Sequence, residues 1–160
     1  MDRYVYKPSH FMRQMTVPGI FTALIGIVCL IQCFISEDKL IYILVLCLCL
    51  YNVWNMFVSI SNPSEIIVDE NHLIFSAYGR QHMYDMDLIK HYAMRPLAGN
   101  TRMYMTINKN GLLKGRYWVR TDEFSNNKQL QEFFYNLDAK VNPDSIVTRA
   151  REQGRQRLQK

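Results

Sequence analysis

The stretch VPGIFTALIGIVCLIQCFI, residues 17–35, followed after Ser36-Glu37-Asp38-Lys39 by LIYILVLCLCLYNVWNMFVSI, residues 40–60, decides how the rest of the chain is read. As helices rising ~1.5 Å per residue the two runs cover about 28 Å and about 31 Å, each close to the hydrocarbon thickness of a bilayer. No charged residue occurs between Arg13 and Glu37, and none between Lys39 and Glu65. The short polar connection forces the two runs into an antiparallel hairpin. A cleaved signal peptide is the competing reading of the first run, because Arg3, Lys7 and Arg13 resemble a basic leader. It fits poorly, since no small-x-small cleavage site follows and a second apolar run starts almost at once.

Those three cations also set the expected orientation. The hairpin loop holds one Lys beside two acids, so both ends of the chain are expected to face the cytoplasm. Tyr42 lies toward one end of the second run and Tyr51 and Trp54 toward the other, as interfacial aromatics do.

Polar and small residues inside the hairpin suggest how its helices meet. Folding about the loop brings Asn52 and Asn55 to the depth of Gly19, Thr22 and Ala23. Small residues let backbones approach, and amides in hydrocarbon seek partners on a neighbouring helix. These five residues are therefore expected to form the helix-to-helix seam, with a seam between copies of the chain and a polar path as the other readings. Cys29, Cys33, Cys47 and Cys49 all lie in the apolar runs, where a thiol behaves as a small hydrophobe. Neither a disulfide framework nor a zinc site is expected from them.

At 160 residues, with 49% hydrophobic and 21% charged residues, the chain has an ordinary average composition that conceals this segregation. One fold must suffice at this length. The expected division is a cytoplasmic N-terminal segment over residues 1–16, the hairpin over 17–60, a β-rich domain over 61–142 and a basic tail over 143–160. The net charge of +5 is too mild to imply nucleic acid.

After Asn62-Pro63-Ser64 the pattern changes to short β-branched and aromatic runs. Ile66 to Val68 and Leu73 to Ser76 flank Asp69-Glu70-Asn71, a hairpin turn. Further runs span Gln81 to Tyr84, Leu88 to Met94, Arg102 to Asn108 and Leu113 to Arg120, with Asn110-Gly111 as a tight turn. Met103, Met105 and Ile107 alternate onto one face. One amphipathic helix follows, with Ser125 or Asn126 as its cap and Leu130, Phe133, Phe134 and Leu137 at i, i+3, i+4 and i+7.

With these elements in place, IIVDENHLIFSAYGR, DLIKHYAM and RYWVRTDEFSNNKQLQEFFYNL, together with the two preceding spans, resemble the bacterial membrane-anchored pleckstrin-homology-like proteins of the YcxB-like kind. The resemblance implies an α+β membrane protein, in which a two-helix transmembrane hairpin is followed by a small antiparallel PH-like β-barrel capped by a C-terminal helix. It further implies the bacterial cytoplasmic (inner) membrane. Phosphoinositide-binding PH domains cluster cations in their first strand-to-strand loop, whereas this chain has Asp69-Glu70-Asn71 there, so that ligand is not expected.

No catalytic signature is present: there is no Gly-rich phosphate loop and no G-x-S-x-G turn. His72, His82 and His91 lie near Asp85 and Asp87 in sequence without metal-ligand spacing, so no metal or cofactor is expected. Arg116, Trp118 and Arg120 alternate onto one strand face, a pattern suited to contact with a protein, the alternative being Trp118 packed beneath the C-terminal helix. Arg149, Arg151, Arg155, Arg157 and Lys160 form a basic tail that is read either as solvated or as contacting anionic lipid, with nucleic acid as a third reading. The expected function is a noncatalytic, membrane-anchored interaction module that binds a protein partner at the inner leaflet. An immunity protein neutralising a membrane-targeting toxin, and a ligand-gated membrane effector sensing a small anionic molecule, are the alternatives.

Overall fold

The computed structural model of the chain describes residues 1–97, 101–108, 111, 114–145, 148 and 149. It is an α+β protein in which two long apolar helices, α1 (Pro8–Ile35) and α2 (Lys39–Val58), precede antiparallel sheets. Both helices are long and apolar enough to cross a membrane. Helix α1 begins nine residues before the apolar run at Val17, with Pro8 in its first turn, where a missing N–H costs nothing. Its turn Met12–Thr16 is widened to π geometry just before Pro18, whose ring crowds the preceding turn and donates no hydrogen bond. Helix α2 widens in the same way at Trp54–Val58, and Ile60, in the left-handed region at φ 51°, then turns the chain out of the helix. A β-branched residue is strained there, and Ile60 is held by complete burial between Ser59 and Ser61, whose hydroxyls bond at 2.6 Å.

Four strands form the first sheet in the order β1 (Asp2–Val5), β2 (Glu65–Val68), β3 (His72–Ala77) and β4 (Arg80–Asp85), all antiparallel. Strand β1 was not expected from the sequence. It pairs Asp2 with Val68 and Val5 with Glu65, so residues assigned to a separate N-terminal segment belong to the same sheet as residues beyond the hairpin. Both ends of the hairpin therefore return to adjacent strands. The second sheet is β5 (Tyr92–Leu97), β6 (Arg102–Ile107) and β7 (Arg116–Arg120). Helix α3 (Asn127–Val141) follows.

The core lies between the sheets and α3. Ile66, Leu73 and Phe75 of the first sheet, Met103, Met105 and Ile107 of β6, Tyr117 of β7, and Leu130 and Phe134 of α3 are all sealed from solvent. The alternation expected in β6 is thus realised. Phe75 and Tyr117 stack with ring centroids 4.0 Å apart and planes 10° from parallel. Phe133, by contrast, is only partly buried, and the buried stripe runs through Leu130, Phe134 and Leu137 instead. The cap also differs. Asn126 is left-handed at φ 51° and makes no side-chain cap, while Ser125 Oγ accepts the Val5 N–H at 3.0 Å, tying the entry of α3 to β1.

The expected closed barrel is not formed. The sheets join at one corner, where Tyr6 bridges Phe124 and Ser125 N–H donates to the Val5 carbonyl. At the other corner the described residues carry no ladder between β4 and β5. A 3-10 turn at Met86–Leu88 intervenes, and Asn108 satisfies the chain beyond it: its Oδ1 accepts the N–H groups of Lys90 and His91, and its Nδ2 donates to the Leu88 carbonyl. Backbone groups that a closing strand would have used are occupied by one side chain, so the run expected from Leu88 begins only at Tyr92.

Candidate functional site at the helix and sheet junction

Three sets of side chains fasten the helices to the sheets. The first grows from the β3-to-β4 turn, where Tyr78 and Gly79 both take positive φ, 51° and 74°. Two such residues match the twist of a two-residue hairpin. The turn aims the Tyr78 ring between Phe11 of α1 and Phe57 of α2, at centroid distances of 5.5 Å and 5.1 Å. Its hydroxyl bonds Thr16 Oγ1 at 3.0 Å, and Arg80 reaches the Val58 carbonyl at 3.3 Å. One turn thus grips the lower ends of both helices.

The second set surrounds Glu123. Its Oε2 is 2.7 Å from His10 Nδ1, its Oε1 accepts from Gln14 Nε2 at 3.1 Å, and Arg120 stands 3.8 Å away. Gln14 in turn accepts from the Tyr6 hydroxyl at 2.9 Å and from Arg120. Burial alone would raise the Glu123 carboxyl, but the hydrogen bonds from His10 and Gln14 and the Arg120 charge outweigh it and hold the carboxyl below its ordinary value. Burial pushes the neighbouring Tyr6 hydroxyl up to about 12, with Arg120 opposing and Glu123 reinforcing the rise.

The third is a groove of about 490 Å³ between α2 and the second sheet. Tyr51, Asn52, Asn55 and Met56 form its helical wall, Ser61 and Asn62 lie at the exit of the helix, and Tyr104, Arg116 and Trp118 form the sheet wall. Trp118 is 48% exposed and lies 4.6 Å from Tyr104, centroid to centroid. Its backbone N–H donates to the Ser61 carbonyl at 2.7 Å, which fixes the distance between the walls.

This placement corrects two expectations. Trp118 does not pack beneath the C-terminal helix, since Tyr117 and Val119 face the core and Trp118 faces α2. Arg116, Trp118 and Arg120 do not form one free surface either. Arg116 and Trp118 line the groove, whereas Arg120 is bound to Gln14 and to Glu123. Asn52 and Asn55 line the groove together with Met56, and Asn52 is exposed. The seam is made by smaller residues. Gly19 is buried against Phe57 and Met56, Gly26 against Cys49, and Ala23 lies along the same seam. A Cβ on Gly19 would stand 2.7 Å from the Phe57 ring. Thr22 satisfies its hydroxyl within its own helix, on the Pro18 carbonyl at 2.8 Å. Helical periodicity places residues on a face without saying which neighbour that face meets, and the sheet wall beside α2 comes from residues fifty positions later.

The histidines are separated. His82 Nδ1 bonds the Tyr117 hydroxyl at 2.8 Å, which bonds the Tyr84 hydroxyl at 2.7 Å. Burial, and then the Lys114 charge, lower the His82 pKa, while burial and the Tyr84 bond drive the Tyr117 hydroxyl far above its ordinary range. No group of histidine, cysteine and carboxylate able to hold a metal exists among the described residues.

Of the basic tail, Arg149 is described and pairs with Asp144 at 3.7 Å, both largely exposed. Arg151, Arg155, Arg157 and Lys160 lie outside the described residues. The chain after α3 is fastened by Asp138, a buried carboxylate missed in the sequence, which accepts from Asn142 at 3.2 Å and from Ser145 at 2.8 Å. A signal was present, since Asp138 stands beside Leu137 on the apolar side of α3 with hydroxyl and amide residues following.

Comparison with protein-family models, with curated proteins and with solved structures gives no match.

Proposed function

We propose that the chain is a noncatalytic interaction module anchored in the bacterial cytoplasmic membrane by α1 and α2, with both termini in the cytoplasm and a PH-like domain of the YcxB-like kind held at the inner leaflet for a protein partner. The observation that carries this reading is the insertion of the hairpin between two neighbouring strands: β1 precedes it and pairs with β2, which follows it. A hairpin attached at one end tethers a domain loosely. One attached at both ends, and gripped by Tyr78 and by the Gln14 network, holds the domain in a set orientation to whatever surrounds the helices. Among the described residues, seven antiparallel strands and a following helix agree with the PH-like resemblance, although one corner is open.

The orientation assigns sides to the domain. Strand β4 starts at the turn that grips the helices and runs away from them, carrying exposed Met83, and the turn after it carries exposed Leu88. These apolar side chains on the far side of the domain are the proposed contact for the partner. Holding the domain at the membrane raises its effective concentration toward a membrane partner without any new contact.

Two measurements test the reading. Cysteine labelling should reach Glu37→Cys from outside intact cells and fail at Asp87→Cys, and the reverse pattern overturns the anchoring and orientation. Proteins that copurify with the chain in mild detergent should be lost from the Met83→Asp, Leu88→Asp double variant. Retention of all of them removes this contact surface.

A further inference from the structure

The groove beside α2 combines features that together specify one class of occupant. Among the described residues, Arg116 is the only charged one that lines it. The Arg116 Nε donates to the Gly111 carbonyl at 3.1 Å, and no described residue pairs its two terminal nitrogens, so a fork of donors is left for an anion. Asn52 and Asn55 add amide groups on the opposite wall. Above the groove the same face of α2 continues through Leu48, Leu44 and Ile41, which lie 4, 8 and 11 residues before Asn52 and are 56%, 61% and 64% exposed.

We propose that this groove binds the phosphate headgroup of an anionic phospholipid. Arg116 pairs with the phosphate, the Asn52 and Asn55 amides meet the remaining polar atoms of the head, and an acyl chain lies along Leu48, Leu44 and Ile41. Trp118 and Tyr104 stand at the level where indole and phenol rings collect at membrane surfaces. The proposal rests on the anchoring of α2 in the membrane and adds to it a built lipid site that also takes residues from the sheet. A soluble phosphate ester would satisfy Arg116 and leave the stripe uncovered. An acidic protein segment would satisfy Arg116 without matching an apolar stripe that leads up a membrane helix. A volume of about 490 Å³ is ample for a headgroup, which falls within the usual size of small-molecule sites.

Trp118 is a built-in reporter, because Trp54 is the only other tryptophan. The full chain carrying Trp54→Phe, in a neutral detergent, is titrated with short-chain phosphatidylglycerol, short-chain phosphatidylcholine and glycerol phosphate while Trp118 emission is followed. The expected result is a saturable blue shift with phosphatidylglycerol, half-saturation about tenfold higher with phosphatidylcholine, and no shift with glycerol phosphate. Arg116→Gln should raise the phosphatidylglycerol midpoint about tenfold while the chain stays folded, and Arg116→Lys should restore part of the loss. Equal response to the two lipids, or an Arg116→Gln variant that binds like the parent, overturns the proposal. An equal response to glycerol phosphate assigns the groove to a soluble anion, and loss of the lipid response on adding a copurified protein partner, with that partner crosslinking at Trp118, assigns it to protein. Reconstitution separates this proposal from the one beneath it. A chain that stays in vesicles through an alkaline wash while Trp118 ignores the lipid loses only the groove assignment, whereas a chain that washes off loses both.

Discussion

The hairpin and the sheet domain use apolar residues in opposite ways. Along α1 and α2 the large side chains, among them Phe21, Phe34, Leu40 and Leu44, point outward, and the residues buried between the helices are Gly19, Gly26, Cys29 and Cys49. In the sheets and α3 the large side chains are the core: Phe75, Tyr117, Met103, Met105 and Phe134 are sealed from solvent. Water drives the second arrangement, because burying a large apolar side chain there is worth roughly 1.5–3 kcal/mol. In the lipid surrounding proposed for the hairpin that drive vanishes between helices, and close approach of backbones at small residues replaces it. The same chain therefore follows two packing rules, and the junction at Tyr78, Gln14 and Trp118 is where they meet.

The contrast is broken most sharply by cutting a core ring. Phe134→Ala should cost about 3–5 kcal/mol, read as a fall in the urea midpoint of the sheet domain, while Leu44→Ala on the outer face of α2 should leave that midpoint unchanged. Equal sensitivity of the two sites would mean that they share one kind of environment. The reverse change tests the seam. Gly26 faces Cys49 Cβ, and a Cβ added there would stand 3.2 Å from it, so Gly26→Leu should separate the helices at a cost of about 1–3 kcal/mol. The readout is the loss of helix-to-helix proximity between labels on α1 and α2, with the sheet domain still folded.

A third prediction sharpens the junction through its acid dependence. Because hydrogen bonds and the Arg120 charge hold the Glu123 carboxyl below its ordinary value of 4.5, the folded state favours the ionised form. Its contribution to stability is therefore complete above that ordinary value and is lost as pH falls through the lower folded value. Urea midpoints measured across this range should drop in the parent and drop less in Glu123→Gln, and parallel curves would show that the cluster does not titrate as a unit. The smallest effect is expected at Tyr78→Phe, which keeps the ring between Phe11 and Phe57 and removes only the bond to Thr16. About 0.5–1.5 kcal/mol should be lost. A larger loss would place the grip in the hydroxyl and not in the ring.

Much of this architecture is local and was legible in the chain. Two uncharged apolar runs define α1 and α2, alternation defines β6, and the i, i+3, i+4, i+7 stripe defines α3, because each pattern is set by residues within a turn or two of one another. The Tyr78-Gly79 turn could have been read as well, since a glycine between two β runs is a hairpin signal, although a tyrosine at a positive φ masked it. Strand β1 was not legible. Four residues carry little periodicity, and what makes Asp2–Val5 a strand is an exposed edge of β2 that arrives some sixty residues later. The groove was half legible: Arg116, Trp118, Asn52 and Asn55 each stood out, but as members of two unrelated patterns. Only the fold, by bonding Trp118 N–H to Ser61 at the end of α2, decided that the sheet face looks at the helix face, because contacts between distant segments depend on where the chain turns between them and not on the spacing within either.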